Sequence, residues 1–317
     1  MTEMNMLSTH PSYPKRYDIN KDDYEENTPF YEHESLKDFE GVWSDYKEVS
    51  YNELKNRLVW YYNNCDDPKL ITLEEAGIEF KNDKPVTPIK TGIKGRGMLG
   101  KYGPNHAADP IVTCWIDNKL HFVGVLRNDT GEWAIPGGMV DPGEHAPAAL
   151  RREFKEEACS EEDDKIMEEI FKNGEVIFAG PTYEDPRTTD SAWIETYVVH
   201  FHIDEELAKK IKFTPQKDEV SKVAWVDCNE KLYGGHSKFI NIVKEKMYFE
   251  NNNEEPEYID YNSFNTIFQV FVYLLITIIS VYYALKLRND IKNEEKYIQM
   301  FLCDYDNCTL LLFSNVE

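Results

Sequence analysis

Three glutamates near the middle of the chain, Glu153, Glu156 and Glu157, stand at positions i, i+3 and i+4. On a helix these positions share one face, about one turn apart, so their like charges repel each other. Mg²⁺ and Mn²⁺ relieve such repulsion, because both cations prefer hard oxygen ligands. The spacing therefore predicts a site for Mg²⁺ or Mn²⁺, and its alternative is the acidic, solvated face of a surface helix.

The residues before these glutamates extend the pattern. Gly138 is followed by five residues and then Glu144, and seven more residues lead to Arg152-Glu153-Phe154-Lys155-Glu156-Glu157. This run resembles the Nudix box, Gly-x5-Glu-x7-Arg-Glu-U-x-Glu-Glu-x-Gly-U, in which U is an apolar residue. The resemblance implies a site with metal ligands Gly138, Glu153, Glu156 and Glu157 and with catalytic residues Arg152, Glu153 and Glu157.

The last two positions of the box differ in this chain. Cys159 stands where the box has glycine, and Ser160 stands where it has an apolar residue. Glycine at a helix end supplies a left-handed cap, so the change predicts a different path out of the helix. Every charged position is intact, so we expect metal binding to be unaffected.

Long literal runs, most of them outside the box, point to one branch of the family. They occupy residues 95–100, 103–110, 133–144, 185–196, 225–227 and 232–237. Over residues 40–248 the chain resembles ADP-ribose pyrophosphatases related to the animal mitochondrial enzyme, and also the ADP-ribose-sensing domain of melastatin-type cation channels. The resemblance implies metal-dependent hydrolysis of the diphosphate of ADP-ribose to AMP and ribose 5-phosphate. The fold it implies is α/β (α+β), a mixed sheet sandwiched between helices with a small N-terminal domain beside it.

The same resemblance implies which residues contact the substrate. They are His106, Asp109, Asp185, Arg187, Tyr233 and His236. Arginine pairs with phosphate in a bidentate fork, carboxylates accept bonds from ribose hydroxyls, and an aromatic ring can stack on adenine. Ordinary structural explanations also exist, because Asp185-Pro186 is typical of a turn and Tyr233 of an aromatic residue at the domain boundary.

Two other functions are left open by the sequence: a nucleoside-diphosphate hydrolase of broader range, and a non-catalytic ADP-ribose sensor. The triplet Arg152-Glu153-Phe154 is intact. This favours catalysis, because some channel relatives have lost the acid of this triplet. The spacing does not determine the general base, whose candidates are Glu153, Glu157, Asp218 and Glu219.

The whole chain is strongly acidic. Its 317 residues carry a formal net charge of −23, which argues against nucleic acid as a partner. None of the six cysteines forms a CxxC pair, so we expect free thiols in a reducing compartment. Residues 1–27 lack both an apolar signal core and the composition of a transit peptide, which predicts a cytoplasmic protein. We also expect a monomer.

Composition changes along the chain predict its organisation. The segments are an extended arm (1–40), an N-terminal domain contributing to the substrate cleft (41–92), a Nudix domain (93–250), a candidate transmembrane helix (264–285) and a polar tail (286–317). Residues 264–285 contain no charged residue and are long enough to cross a bilayer, which would anchor the protein in a membrane. The sequence does not determine the orientation of such a span. The alternative is that the residues after about 250 do not belong to the natural protein.

Apolar runs and helical composition predict the elements of the Nudix domain. Strands are expected over 111–115, 121–126, 175–179, 192–201 and 223–226, and helices over 146–157 and 237–248. Residues 192–201 alternate in polarity, which predicts a half-buried strand. The glycine-rich stretch from Gly92 to Gly103 predicts tight turns, and Pro147 is tolerable only in the first turn of its helix.

Overall fold

A mixed β-sheet organises the chain. The computed structural model describes residues 10–46, 48–61, 68–159, 164–216 and 220–251. The strands within these ranges are β1 Phe30–Glu32, β2 Leu58–Tyr61, β3 Lys69–Thr72, β4 Phe80–Lys81, β5 Lys84–Pro85, β6 Lys94–Gly97, β7 Gly103–Ile116, β8 Lys119–Arg127, β9 Trp133–Ala134, β10 Gly138–Met139, β11 Glu175–Pro181, β12 Ala192–His202 and β13 Val220–Asp227. The helices are α1 Tyr24–Asn27, α2 Tyr51–Lys55, α3 Ala146–Ala158, α4 Asp164–Ile170, α5 Glu205–Ala208 and α6 His236–Asn251, with a 3₁₀ helix over Glu34–Phe39.

The main sheet has the strand order β11-β12-β7-β8-β13, with β10 paired to β7 and β9 paired to β8. Strands β12 and β7 run parallel, from the pair Ala192↔Gly103 to the pair His202↔Thr113, and the other pairs in the sheet are antiparallel. Helix α3 packs its apolar side into one core cluster and α6 packs into another, and β7, β8 and β12 contribute to both. The predicted mixed sheet between helices is confirmed.

Strand β12 is buried on both faces, so the prediction of a half-buried strand is wrong. Phe201 enters the α3 cluster and Val198 enters the α6 cluster, so helices cover both sides of the strand. Its polar residues are also buried, with Glu195 and Thr196 each 2% exposed. The alternation therefore separates two interior environments of the domain, and no face of this strand is a solvent face.

Helix α3 begins and ends as its sequence requires. Pro147 lies in the first turn, where its missing N–H would have had no intrahelical partner. At the other end, Cys159 has φ −126° and ψ 159° and forms an isolated bridge with Phe213. The chain leaves the helix in an extended conformation, which any residue can adopt. The departure from glycine at this position therefore introduces no strain.

The predicted turns around the glycine-rich stretch are present, and these glycines also allow other backbone to approach closely. Gly95 has φ 91°, and a Cβ at this residue would lie 2.5 Å from the carbonyl oxygen of Tyr31. Strand β1 pairs in parallel with β6 at this point. Residues from Tyr13 to Glu32, which the sequence places in an extended arm, therefore pack along the glycine-rich stretch.

A substitution at Gly97 tests this close approach. Gly97 has φ 60°, and an added Cβ would overlap the hydroxyl of Tyr13. We expect Gly97→Ala to lower the free energy of unfolding by about 1 kcal/mol for the left-handed conformation and by roughly 1–3 kcal/mol more for the overlap. The control is Gly131→Ala, because Gly131 has φ 69° and open space around it. Equal losses of unfolding free energy in the two variants, measured by urea unfolding, would contradict the contact with Tyr13.

The candidate transmembrane helix 264–285 and the polar tail 286–317 lie outside the described residues. Across the ranges that the structure does describe, no helix combines the length and the apolarity needed to cross a bilayer. The segment boundaries, the monomeric state and the cytoplasmic location stay predictions.

Candidate active site

The turn before α3 receives two buried glutamates from that helix. Glu153 is 8% exposed and Glu157 is 7% exposed, and both side chains reach back to the Gly137-Gly138 turn. The N–H of Gly137 donates to Oε2 of Glu157 at 2.9 Å. A Cβ on Gly138 would lie 2.6 Å from Oε2 of Glu153, so only glycine leaves room for this carboxylate.

Arg152 connects the carboxylates around this turn. Its Nη1 donates to Glu153 at 2.7 Å and to Glu156 at 3.1 Å, and its Nε and Nη2 donate to Glu144 at 3.1 and 2.9 Å. Nη2 also donates to the carbonyl of Met139 at 3.0 Å. The bond from Arg152 holds the pKa of Glu144 below its usual value. One guanidinium therefore fixes the orientation of three acidic side chains.

The donor set has the chemistry of a site for a hard divalent cation. Glu153, Glu156 and Glu157 supply carboxylate oxygens on one side of α3, and two of them are buried beside a backbone turn. In the arrangement that the described residues adopt, no three acidic, histidine or cysteine side chains converge closely enough to hold an ion. The residues fit Mg²⁺ or Mn²⁺ in ligand type, and the metal itself stays a prediction.

A cavity of about 530 Å³ opens beside this turn. It joins the carboxylate end of the site to residues from distant parts of the chain, including five of the six predicted substrate contacts. Its lining includes Gly138, Glu157, Asp109, Asp185, Arg187, Tyr233 and His236. The sheet and the loops before β12 and α6 bring these residues together from positions far apart in the sequence.

Asp185 and Arg187 form a bidentate ion pair in the wall of the cavity. Nε and Nη2 of Arg187 each donate to one carboxylate oxygen of Asp185 at 2.9 Å, and the N–H of Arg187 also donates to Oδ1 at 2.9 Å. Burial alone would raise the pKa of Asp185, but the guanidinium outweighs it and holds this pKa below its usual value. The pair fixes the orientation of the Arg187 guanidinium, whose remaining N–H groups suit a phosphate oxygen.

The far end of the cavity contains an aromatic residue backed by a cation. The guanidinium of Arg127 lies 4.5 Å from the centre of the Tyr233 ring and is held by Asp129 at 2.6 and 2.9 Å. His236 accepts a bond from the N–H of Ile135 at 2.9 Å, and burial lowers its pKa to about 4. His236 is therefore neutral at pH 7, and the Tyr233 ring offers a surface for a planar base.

Asp109 lies between the carboxylate turn and the cavity wall. A Cβ on Gly137 would overlap its carboxylate, and the hydroxyl of Thr196 donates to its Oδ2. Burial raises the pKa of Asp109 to about 6. The parallel pairing of Thr196 with Ala107 brings this hydroxyl into reach.

His106 is the predicted contact that the structure places outside this cavity. Side chains alternate along β7, so His106 faces away from Asp109 and lies near Trp60, with ring centres 6.3 Å apart. Its Nε2 is 3.8 Å from Oε2 of Glu195 and has no hydrogen-bond partner in the described part of the chain. His106 lines two neighbouring cavities of about 500 and 260 Å³, and its predicted role with substrate stays a prediction.

Sequence reasoning missed several functional neighbours in the site. Arg127 and Thr196 take part through strand pairing and loop packing, which no local motif indicates. A usable signal for Arg127 was its place at the end of an apolar run, before the turn Asn128-Asp129-Thr130-Gly131. Two candidate general bases, Asp218 and Glu219, lie outside the described residues.

Comparison with known proteins gives one family. The family model described as NUDIX domain matches residues 109–245. Nudix hydrolase 6 of Caenorhabditis elegans is 49% identical over 167 residues, which cover 51% of this chain and 64% of that protein. The mitochondrial ADP-ribose pyrophosphatase of Rattus norvegicus is 42% identical over 195 residues, which cover 53% of this chain and 55% of that protein.

A channel protein is also similar. Transient receptor potential cation channel subfamily M member-like 2 of Nematostella vectensis is 40% identical over 187 residues, covering 51% of this chain and 12% of the channel. The chain therefore spans less than two thirds of each of these three relatives.

Proposed function

Because residues 109–245 form a NUDIX domain, we propose that this chain hydrolyses the diphosphate of ADP-ribose to AMP and ribose 5-phosphate, with Mg²⁺ or Mn²⁺ as cofactor. The observation that carries the proposal is a single cavity that combines Glu157 with the Asp185–Arg187 pair and Tyr233. The carboxylates suit the metal at the reacting end of a nucleoside diphosphate, the arginine suits its phosphate oxygens, and the aromatic ring suits its base.

Each group has a distinct task in this proposal. Arg187 binds diphosphate oxygens, and Asp185 fixes the plane of its guanidinium through the bidentate pair. Tyr233, backed by Arg127, stacks on the adenine. The neutral imidazole of His236 accommodates the base without adding charge.

The carboxylates of α3 act on the reacting end. Glu153, Glu156 and Glu157 hold the cation, which, when bound, neutralises diphosphate charge and lowers the pKa of a bound water. Arg152 keeps Glu153 and Glu156 oriented, since it donates to both. The general base is one of the acidic residues close to this turn, with Glu153 and Glu157 as the described candidates.

ADP-ribose is the proposed substrate because a relative named ADP-ribose pyrophosphatase shares 42% identity over 195 residues. A broader nucleoside-diphosphate hydrolase would have the same carboxylates and the same arginine. A pure sensor would retain the cavity without needing the α3 glutamates, whose charged positions are all present here.

Purified full-length chain incubated with ADP-ribose and Mg²⁺ tests the proposal. We expect AMP and ribose 5-phosphate in equal amounts, no product after chelation, and at least about a hundredfold less product from Glu156→Gln, because this substitution removes a metal ligand. Equal turnover of ADP-ribose, ADP-glucose and diadenosine diphosphate would indicate the broader hydrolase. Calorimetric binding of ADP-ribose without any AMP would indicate a sensor and contradict the enzyme.

A further inference from the structure

The N-terminal arm, defined here as residues 10–32, passes behind the loop that carries Asp185 and Arg187. Tyr13, 8% exposed, connects this loop to the segment after β6. Its hydroxyl donates to the carbonyl of Arg187 at 2.5 Å and accepts the N–H of Met98 at 2.9 Å. The backbone of Arg187 is therefore held from outside the cavity, while its side chain faces Asp185 inside.

Arg16 of the same arm binds the carbonyls on either side of Arg187. Its Nη2 donates to Pro186 at 3.0 Å and to Thr188 at 3.2 Å, and its Nη1 donates to Thr91 at 2.7 Å. The N–H of His10 adds a bond to Pro186 at 3.3 Å. The arm thus binds three successive carbonyls, 186–188, partly through a charged donor, which makes the stronger bonds.

No residue of the arm lines the cavity of about 530 Å³, within the described part of the chain. The arm therefore acts on a bound ligand indirectly, and its contacts with residues 186–188 are the direct connection to Arg187. Small displacements of a positioning group have large effects on binding and rate, because the productive geometry is narrow. A shift of the Arg187 backbone would displace the guanidinium directly, because Asp185 already fixes the plane of that guanidinium.

We propose, on the basis of the function proposed above, that Tyr13 and Arg16 are positioning residues for the diphosphate of the substrate. They hold the Asp185–Thr188 loop from behind, so that Arg187 meets the phosphates. Coupling between two sites is reciprocal in binding free energy. A ligand bound by Arg187 therefore tightens the attachment of the arm by the same factor by which the arm tightens the ligand.

Steady-state kinetics of Tyr13→Phe, Arg16→Gln and Arg16→Lys test this role. For ADP-ribose we expect KM to rise about tenfold in Tyr13→Phe and Arg16→Gln, a usual size for coupling between two sites, with kcat nearly unchanged. Arg16→Lys recovers part of the loss, because lysine keeps the charge. The matched control is Tyr17→Phe, since Tyr17 lies on the same arm and its hydroxyl donates to Asp23 at 2.6 Å.

Protection of the arm by ligand gives an independent readout. Lys15 and Lys21 are exposed, so trypsin can cut the arm when it detaches. We expect the α,β-methylene analogue of ADP-ribose to slow this cleavage about tenfold in the wild type and far less in Arg16→Gln. Unchanged KM in both arm variants, or a fall in kcat without a rise in KM, would overturn the positioning role.

A measurement on ligand-free protein separates the hold of the arm on the loop from the activity of the site. A wild-type chain that does not turn over ADP-ribose removes the enzymatic proposal alone. Hydrogen exchange of ligand-free protein then tests whether the arm holds the loop. The reporter is the N–H of Thr188, which donates to the carbonyl of Asp185 at 2.9 Å. Faster exchange in Tyr13→Phe than in Tyr17→Phe supports the hold of the arm on the loop, and equal exchange in the two overturns it.

Discussion

Replacement of Glu157 by glutamine is expected to lower kcat for ADP-ribose by about a thousandfold, which corresponds to about 4 kcal/mol of transition-state stabilisation. The carboxylate of Glu157 is 7% exposed and accepts the N–H of Gly137 at 2.9 Å. Glutamine has the same shape and its carbonyl oxygen can keep this bond, so the fold is retained while the charge is lost. The fall in kcat therefore measures the contribution of the negative charge of Glu157.

The matched control is Glu168→Gln, a change of the same chemistry at an exposed position on α4. Its kcat should stay within about twofold of the wild type, since surface charges away from a site contribute little. Thermal unfolding of both variants should resemble that of the wild type. A Glu157→Gln enzyme with kcat within tenfold of the wild type would contradict the placement of Glu157 at the reacting end.

Substitution of Arg187 by methionine is expected to raise KM for ADP-ribose by about a hundredfold, because charge-assisted bidentate bonds to phosphate contribute about 1.5–3 kcal/mol. The same change leaves the partly buried carboxylate of Asp185 without the guanidinium that balances it. The stability of Arg187→Met should therefore fall, and it should fall more at pH 8 than at pH 4, where Asp185 becomes protonated without its partner.

The stability that the Asp185–Arg187 pair contributes depends on pH. The pKa of Asp185 is lowered in the folded wild type, so this pair contributes stability above the unfolded pKa of the carboxyl, and the contribution is lost as the pH falls. Urea unfolding of Arg187→Met and of the double variant Asp185→Asn/Arg187→Met separates the two effects. Asp185→Asn should restore stability lost in Arg187→Met while KM stays high.

Arg151→Met is the control for removal of an arginine from the surface. Arg151 lies on α3 next to Arg152 but outside the cavity, and it donates to the carbonyl of Asp164 at 3.5 Å. The KM of Arg151→Met for ADP-ribose should remain close to that of the wild type. An Arg187→Met variant with the KM of Arg151→Met would show that Arg187 does not bind the diphosphate.

The spacing of residues along one element was sufficient to predict the acidic end of the site. Glu153 and Glu157 share the buried side of α3, and Arg152 reaches Glu156 at i+4 as helical geometry requires. The Nudix box inferred from the same spacing is confirmed by the family match to residues 109–245. The pair Asp185 and Arg187 is also local, because only one residue separates them in a turn.

Partners from distant elements could not be predicted in the same way. His106 and Asp109 are three residues apart on one strand, so the alternation of side chains sends them to opposite faces, and only Asp109 enters the cavity. Thr196 reaches Asp109 because β12 and β7 pair in parallel in one particular register. A shift of one residue in that register would reverse every side chain of the strand.

Residue types and their spacing along the chain were enough to predict the kind of chemistry, since the periodicities of a helix and of a short turn fix which side chains meet within one element. The contacts between different elements came from the three-dimensional fold: the Tyr233 ring meets Arg127, and the arm residues Tyr13 and Arg16 meet the Arg187 loop. These contacts could not be predicted because strand register and packing of the arm against the glycine-rich stretch depend on the energy of the whole fold, and no local pattern of residues specifies them.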